Sequence, residues 1–483
     1  PSDRCRAAAL TLLALTGFAS LLYEIAWTRT LVMIVGGSSY AFTLILVVFL
    51  LGIGIGSAMV AKGGRPARDT AAAAALAQSI TAAGAALLFV FFSVLPLYII
   101  AVFQVQFLGA TARLLLLGLA VGFVVLIPAI GMGMTFPTLA DLLAARDRAR
   151  AADVGRAYGV NTIGSIAGAV LTGFVLVAWL GSDLTLRLGV LLSATAALAL
   201  AVLAAHGVVQ ASAEHVRLRA RITGAGARAS VAVVLGLAAP RWDTRLIDLG
   251  PTIYARSPLT AAALPAFLDR RGSRQVAFRE GWNATVSVWE NFHSRSLRVN
   301  GKTDASDFTD MDTQIMVGLA AVVARRDARM AFAIGYGSGV SARVLAAVPG
   351  MERVRIVELE PAVLEMDRHF RHVNDSVLAR PMVTTLVDDA RSALLLSRER
   401  FDVIVSEPSN PWVAGVATLY TPEFFDIVRS RLSADGVFGQ WIQLYQLPIS
   451  VLAGIVRNLR AVFPHVEIWM AGAADVVVLG AAR

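Results

Sequence analysis

AFAIGYGSGV, residues Ala331 to Val340, decides the reading of this chain. A short apolar run gives way to Gly335, Gly337 and Gly339, and Ser341 to Val348 then takes up a helical pattern. An apolar strand that turns through alternating glycines into a helix lets backbone approach a ligand at the carboxyl end of a parallel strand. A second apolar strand, Val354 to Leu359, follows about twenty residues later and carries Glu358 and Glu360 near its end, where an acid can accept hydrogen bonds from a ribose. At βαβ spacing the two halves point to a cofactor containing adenosine, while either alone would also suit an ordinary glycine-rich turn with surface acids.

Outward from that core the alternation continues. A third strand, Met382–Val387, ends in Asp388–Asp389–Ala390–Arg391, and a fourth, Phe401–Ser406, ends in Glu407–Pro408–Ser409–Asn410–Pro411–Trp412. A helix is expected near 310–325 and another over 421–432, with further strands at Val437–Leu444, His465–Met470 and Val476–Leu479. Strands alternating with helices predict a mostly parallel, doubly wound sheet whose polar residues collect after the strands. Ahead of it, Gln275 to Asn300 alternates in the manner of β-hairpins, with turn chemistry at Glu290–Ser294 and Asn300–Gly301.

The first half has another texture. The chain has 483 residues, 57% hydrophobic and 16% charged, with a mean hydropathy of +0.66, too apolar and too long for one soluble domain. Apolar runs of the roughly 20 residues needed to cross a bilayer occur near 7–27, 40–61, 72–100, 113–140, 158–180 and 184–205. The segment 222–239 holds Arg228 and several glycines and reads as a seventh span, a re-entrant piece or an interfacial helix. Nothing at the N-terminus reads as a cleavable leader. Lys62, Arg65 and Arg68, then Arg146, Arg148, Arg150 and Arg156, then Arg217, Arg219 and Arg221 follow alternate spans, which places those loops on the cytoplasmic side. With six crossings the soluble part would be cytoplasmic too, at the inner cell membrane.

The formal net charge of +9 is better explained by this loop arginine and anionic lipid than by nucleic acid. The single Cys5 excludes a disulfide framework, and the six histidines show no metal-ligand spacing. Gly52 with Gly56, and Gly164 with Gly168, suit close helix packing. Glu24, beside Tyr23 and Trp27 in the first span, is an ionisable group at a costly depth and a functional candidate, as is the cluster of Asn161, Asp141, Pro128 and Pro137.

The order IGYGSG, VELEP, VDDAR, FDVIVSEPSNPW and GQWIQLY, preceded by hairpins and LRVNGKTDAS, resembles the polyamine aminopropyltransferases, the spermidine synthase family. GFASLLYEIAWTR is similar to the membrane segment of its integral-membrane branch, a fused transporter and spermidine synthase. The fold implied is an all-α transmembrane bundle (1–221, then a marginal 222–240), a small β-hairpin domain (241–305) and an α/β Rossmann-like methyltransferase fold (306–483). The resemblance implies S-adenosylmethionine or its decarboxylated form as donor, without a metal, and a small amine or other acceptor. A homodimer is compatible with it.

Residue by residue, the resemblance assigns Gly335, Gly337, Ser338 and Gly339 to the donor's methionine-derived part, Glu358 to its ribose, and Asp388, Asp389 and Ala390 to its adenine. Glu407, Asn410 and Asp304 become the catalytic candidates, and Gln314, Trp412, Gln443 and Tyr445 the acceptor wall. The chain departs from the family at Ser338 and Asn410, each in place of an acid, at Asp304 in place of a glutamine, and at Thr313–Gln314 in place of an aromatic pair. An amide takes no proton at neutral pH, so Glu407 or Asp304 would be the base. Three readings stay open at this point: an aminopropyl transferase, a methyltransferase or lyase on the same cofactor, and a polyamine transporter or sensor with a nucleotide-binding domain.

Overall fold

A computed structural model describes residues 3–61, 67–92, 94–105, 107–143, 150–205, 213–250 and 273–483. Lys62, Arg65, Arg146 and Arg148 of the cationic loops lie outside these residues, as does 251–272 of the expected β-domain. Two units emerge, one within 1–262 and one within 263–483, with Gly37–Ser39 grouped with the second.

The first unit is helical: α1 (Asp3–Val35), α2 (Ser39–Val60), α3 (Ala67–Phe91), α4 (Leu95–Gln104), α5 (Ala110–Leu143), α6 (Arg150–Leu171), α7 (Val177–Ala205) and α8 (Ala213–Ala238). Six stretches among the described residues are long and apolar enough to cross a membrane. The longest, Ala151–Ala205, is broken at Gly181, whose φ of 79° and ψ of 164° no helix contains. The glycine pairs make the helix contacts expected of them. A Cβ on Gly56 would stand 2.1 Å from the Ile130 carbonyl oxygen, and one on Gly164 would stand 2.1 Å from that of Ala14. Backbones this close exclude any side chain.

The contacts also fix the sense of the helices. Gly164 meets Ala14 and Gly168 meets Phe18, so α6 runs parallel to α1. Arg228 Nε donates to Ser79 Oγ at 3.1 Å, and Trp242, just beyond α8, stacks on Phe89 and Phe92 near the end of α3. Hence α8 lies alongside α3 in the same direction. Leu218–Ala238 is itself long and apolar enough to cross, which favours the full-length alternative for 222–239.

The second unit opens with β1 (Arg274–Glu280), β2 (Thr285–Glu290), β3 (Arg295–Val299) and β4 (Lys302–Ser306), an antiparallel sheet in chain order. Asn300 and Gly301, both at positive φ, make the tight β3–β4 turn. Next come β5 (Met330–Ile334), β6 (Arg353–Glu358), β7 (Val383–Val387), β8 (Phe401–Ser406), β9 (Leu432–Gln443), β10 (His465–Met470) and β11 (Asp475–Ala481), in the spatial order β10-β11-β9-β8-β5-β6-β7. The first five of these pair in parallel, and β11 is antiparallel to both β9 and β10. That order, with one reversed strand, is the Rossmann-like methyltransferase arrangement. Phe424, Phe425, Phe438 and Phe463 pack one face, and Val317, Ala321, Leu345 and Phe370 the other. Each large side chain so buried contributes roughly 1.5–3 kcal/mol.

Candidate active site

In this sheet the chain passes from β5 outward to β7 and then returns to place β8 on the other side of β5. Ligands of open α/β sheets lie at that switch point, outside the carboxyl ends of the strands. The two loops facing each other there are Gly335–Gly339 and Glu407–Asn410. Gly335, Gly337 and Gly339 have φ of 85°, 55° and 82°, the left-handed region open to glycine. A Cβ on Gly335 would stand 2.9 Å from the Glu407 carbonyl oxygen, so the first glycine also admits the second loop.

Several buried groups brace the glycine loop. Glu358 accepts the Tyr336 N–H and the Glu360 N–H, each at 2.9 Å, with one oxygen apiece. Burial outweighs these bonds and raises its carboxyl above the ordinary range. Glu360 is engaged differently: it accepts the N–H groups of Asn283, Ala284 and Ala362, tying the turn between β1 and β2 to the start of the helix Pro361–Glu365. Glu358 is therefore the ribose candidate of the two. Beneath the loop, the Tyr336 hydroxyl bonds Asp367, and Asn374 Nδ2 donates to the Ser338 carbonyl at 2.8 Å.

Ser338, fully buried, turns its hydroxyl to Gln314 Oε1, while Gln314 Nε2 donates to the Ser306 carbonyl at 2.7 Å. Both ends of the Gln314 amide are thus engaged inside the protein. Sequence reasoning puts Gln314 on the acceptor wall, and the structure makes it a strut between β4 and the glycine loop. Asp388 and Asp389 lie exposed after β7. Asp389 caps the helix Ala390–Leu396 by accepting the Ser392 N–H at 2.8 Å, and Asp388 accepts the Asp389 N–H at 2.8 Å. Ala390 beside them is buried.

The acids gather around Glu407. Its Oε2 lies 2.5 Å from Ser341 Oγ, and the same hydroxyl lies 2.9 Å from the Gln314 carbonyl. Burial pushes its carboxyl up to about 7, opposed by the Ser341 bond and reinforced by the charges of Asp310, Asp475 and Asp304. Asp304 pairs with Lys302 at 2.5 Å and accepts Ser409 Oγ at 3.0 Å, so β4 is pinned to the loop after β8. Asn410 is fully buried, with neither end of its amide at hydrogen-bond distance from a partner.

The far wall comes from β9 and β11. Asp475 accepts Thr313 Oγ1 at 3.0 Å and Trp441 Nε1 at 3.1 Å, and burial raises its carboxyl. Gln443 stands directly opposite Asp475 in the ladder and is buried with both amide atoms unpartnered. Trp412 and Tyr445 meet edge to face at 6.4 Å, and Tyr445 is partly exposed. Sequence reasoning missed Ser341, Asp310 and Asp475. Of these only Asp475 left a trace, as a lone acid at the head of the apolar run Val476–Leu479.

Orphaned amides at Asn410 and Gln443, set among carboxylates above a cradle that a single Cβ would fill, fit a cationic, polar small molecule. Among the described residues no group of three metal-ligating side chains comes together.

Residues 311–472 match the spermine/spermidine synthase domain. Polyamine aminopropyltransferase of Mycobacterium tuberculosis (strain ATCC 25618 / H37Rv) is 27% identical over 459 residues, spanning 90% of this chain and 77% of the relative. That of Corynebacterium efficiens is 26% identical over 445 residues, spanning 88% and 75%. Both alignments are too long for the α/β half alone, so the similarity includes helical residues. The solved spermidine synthase from Thermotoga maritima superposes with a TM-score of 0.40 at 16% identity, covering 44% of this chain and 73% of its own. The C-terminal part of this chain thus matches a spermine/spermidine synthase domain, and over most of its length the chain is similar to polyamine aminopropyltransferases.

Proposed function

We propose that this transferase is membrane-bound and moves an aminopropyl or related group from an S-adenosylmethionine-type donor to an amine, with Glu407 as the base. The observation that carries the reading is Glu407 itself, a buried carboxyl tuned to about 7 and surrounded by Asp304, Asp310 and Asp475. A general base works best with a pKa near the operating pH. Neighbouring acids draw in an acceptor that is an ammonium in water, and Glu407 takes the proton that the amine must lose before its nitrogen can attack. Asn410, an amide, accepts an N–H and orients the acceptor without taking a proton.

The donor supplies the leaving group through its sulfonium, so the protein's part is alignment and proton removal. Gly335–Gly339 would hold its methionine-derived part, Glu358 the ribose, and Asp388, Asp389 and Ala390 the adenine. Gln443, Trp412 and Tyr445 would wall the acceptor.

The test is incubation of the purified full chain with S-adenosylmethionine or its decarboxylated form, with and without diamines, followed by mass spectrometry. Methylthioadenosine together with an aminopropylated amine is the expected result. S-adenosylhomocysteine, acceptor-independent methylthioadenosine, or no product at all would each overturn it, in favour of methyl transfer, cofactor cleavage or ligand binding alone.

A further inference from the structure

The helical unit contains a carboxylate that the transfer chemistry does not use. Glu24 lies 11 residues before the last residue of α1, about 16 Å from the helix end at 1.5 Å per residue. It lines a cavity of about 20 Å³ with Trp27, Thr28, Phe42, Phe49 and Val125. Its side chain is partly buried and set against the aromatic rings of this lining. The Thr28 hydroxyl is turned instead to the Glu24 backbone carbonyl at 2.7 Å. Trp27 Nε1, in the same lining, is buried without a partner.

An acid at membrane depth is costly and is normally paired, so the chemistry of the lining says what completes this one. A multivalent metal ion would require several oxygen ligands, and the side chains here offer one carboxylate and a hydroxyl already in use. The cavity exceeds the roughly 10–15 Å³ that one water needs, which is also the scale of a primary ammonium group. Aromatic rings around a desolvated cation attract it through their π faces, and Trp27, Phe42 and Phe49 supply three. Phe42 is exposed, which leaves that side open to an alkyl chain.

We propose that Glu24, with Trp27, Phe42 and Phe49, forms an amine site within the helical unit that takes one terminal ammonium of a linear polyamine. It is distinct from the acceptor site around Glu407, and only the choice of a polyamine rests on the transferase reading.

The experiment counts bound radiolabelled spermidine and putrescine on the full chain in lipid nanodiscs. Wild type is expected to hold two equivalents and E24Q one, with the transfer kinetics of E24Q unchanged. E24D, which keeps the charge, should retain the second equivalent at lower affinity. Replacing Phe49 by Leu should weaken that equivalent roughly two- to thirty-fold. Equal stoichiometry in wild type and E24Q overturns the site, whereas a single wild-type equivalent that E24Q loses supports the Glu24 site and counts only against the acceptor site around Glu407. If E24Q does not fold, the comparison of E24D and Phe49→Leu with wild type decides, and unchanged binding in both overturns it. Failure of the transferase reading shows separately, as two bound equivalents without a transfer product.

Discussion

Replacing Glu407 by glutamine should cut turnover sharply and stabilise the protein. Shape is nearly kept, since the amide still reaches Ser341, but the base is gone. General base catalysis contributes about 10²- to 10⁴-fold, so kcat is expected to fall by that range with the KM for donor little changed. In the wild type the carboxyl sits at about 7, against an ordinary 4.5. Because the folded value is raised, the carboxyl's contribution to stability is fully present below the ordinary value and is lost as pH rises through about 7. That gap corresponds to about 3 kcal/mol at most of ionisation cost borne by the folded state above pH 7. A neutral glutamine escapes it, so E407Q should melt several degrees higher than wild type at pH 8 and gain nothing at pH 4. The wild-type rate should rise with pH up to about 7 and then level, and this acid limb should be absent from residual E407Q activity. Differential scanning fluorimetry across pH, read beside steady-state kinetics, makes both comparisons. An E407Q enzyme with kcat within three-fold of wild type and the same acid limb would refute the assignment of the base.

Ser341→Ala removes the bond that lowers the Glu407 carboxyl. At about 1.5–3 kcal/mol for a hydrogen bond to a charged group, the acid limb should move up by about one to two pH units, and an unmoved limb would remove Ser341 from the base's environment. Asp304→Asn leaves Lys302 largely buried beside a neutral amide and frees Ser409, so the acceptor KM should rise about ten-fold or more, measured at saturating donor. Glu358→Ala removes the acceptor of two loop N–H groups. Methylthioadenosine binding measured by calorimetry should weaken by about thirty-fold, in line with about 2 kcal/mol for an orphaned buried donor, and unchanged affinity would mean that Glu358 only shapes the loop. Gly335→Ala forces a β-carbon into a left-handed position 2.9 Å from the Glu407 carbonyl oxygen, and kcat should fall more than thermal stability if the two loops share the site.

What the sequence made legible was whatever depends on near neighbours. The strand Phe401–Ser406 was readable as a run of alternating and β-branched residues between polar stretches, and it forms over those residues. Asn300–Gly301 announced its turn because few other pairs tolerate positive φ twice. The glycine loop, Glu358 and Glu407 could be placed together because parallel strands bring their carboxyl ends to one edge. Ser341 could not be foreseen: its meeting with Glu407 spans 66 residues and depends on how the helix Val340–Ala346 rotates over the sheet. Asp475 was hidden for a similar reason, since its standing opposite Gln443 follows from the reversed strand β11. The bonds of the Gln314 amide to Ser306 and Ser338 are not legible in the sequence, because composition does not say which of two polar neighbours an amide will satisfy. The length of α8 was obscured by Arg228, whose bond to Ser79 gives that cation a polar partner.

The pairing of α8 with α3 in the same sense carries a consequence for supply. A chain that crosses a bilayer an odd number of times begins on one face and emerges on the other. If α8 crosses as its parallel partner does, the synthase domain faces the compartment opposite Arg4, Arg6 and the cationic loops. Under the function proposed above, the donor would then have to be delivered across the membrane and the product released on that far side. With Cys5 replaced by serine, impermeant thiol labelling of single cysteines placed at Ser2 and at Arg483 would read this directly: opposite accessibility in sealed cells follows from an odd number of crossings, and equal accessibility from an even one.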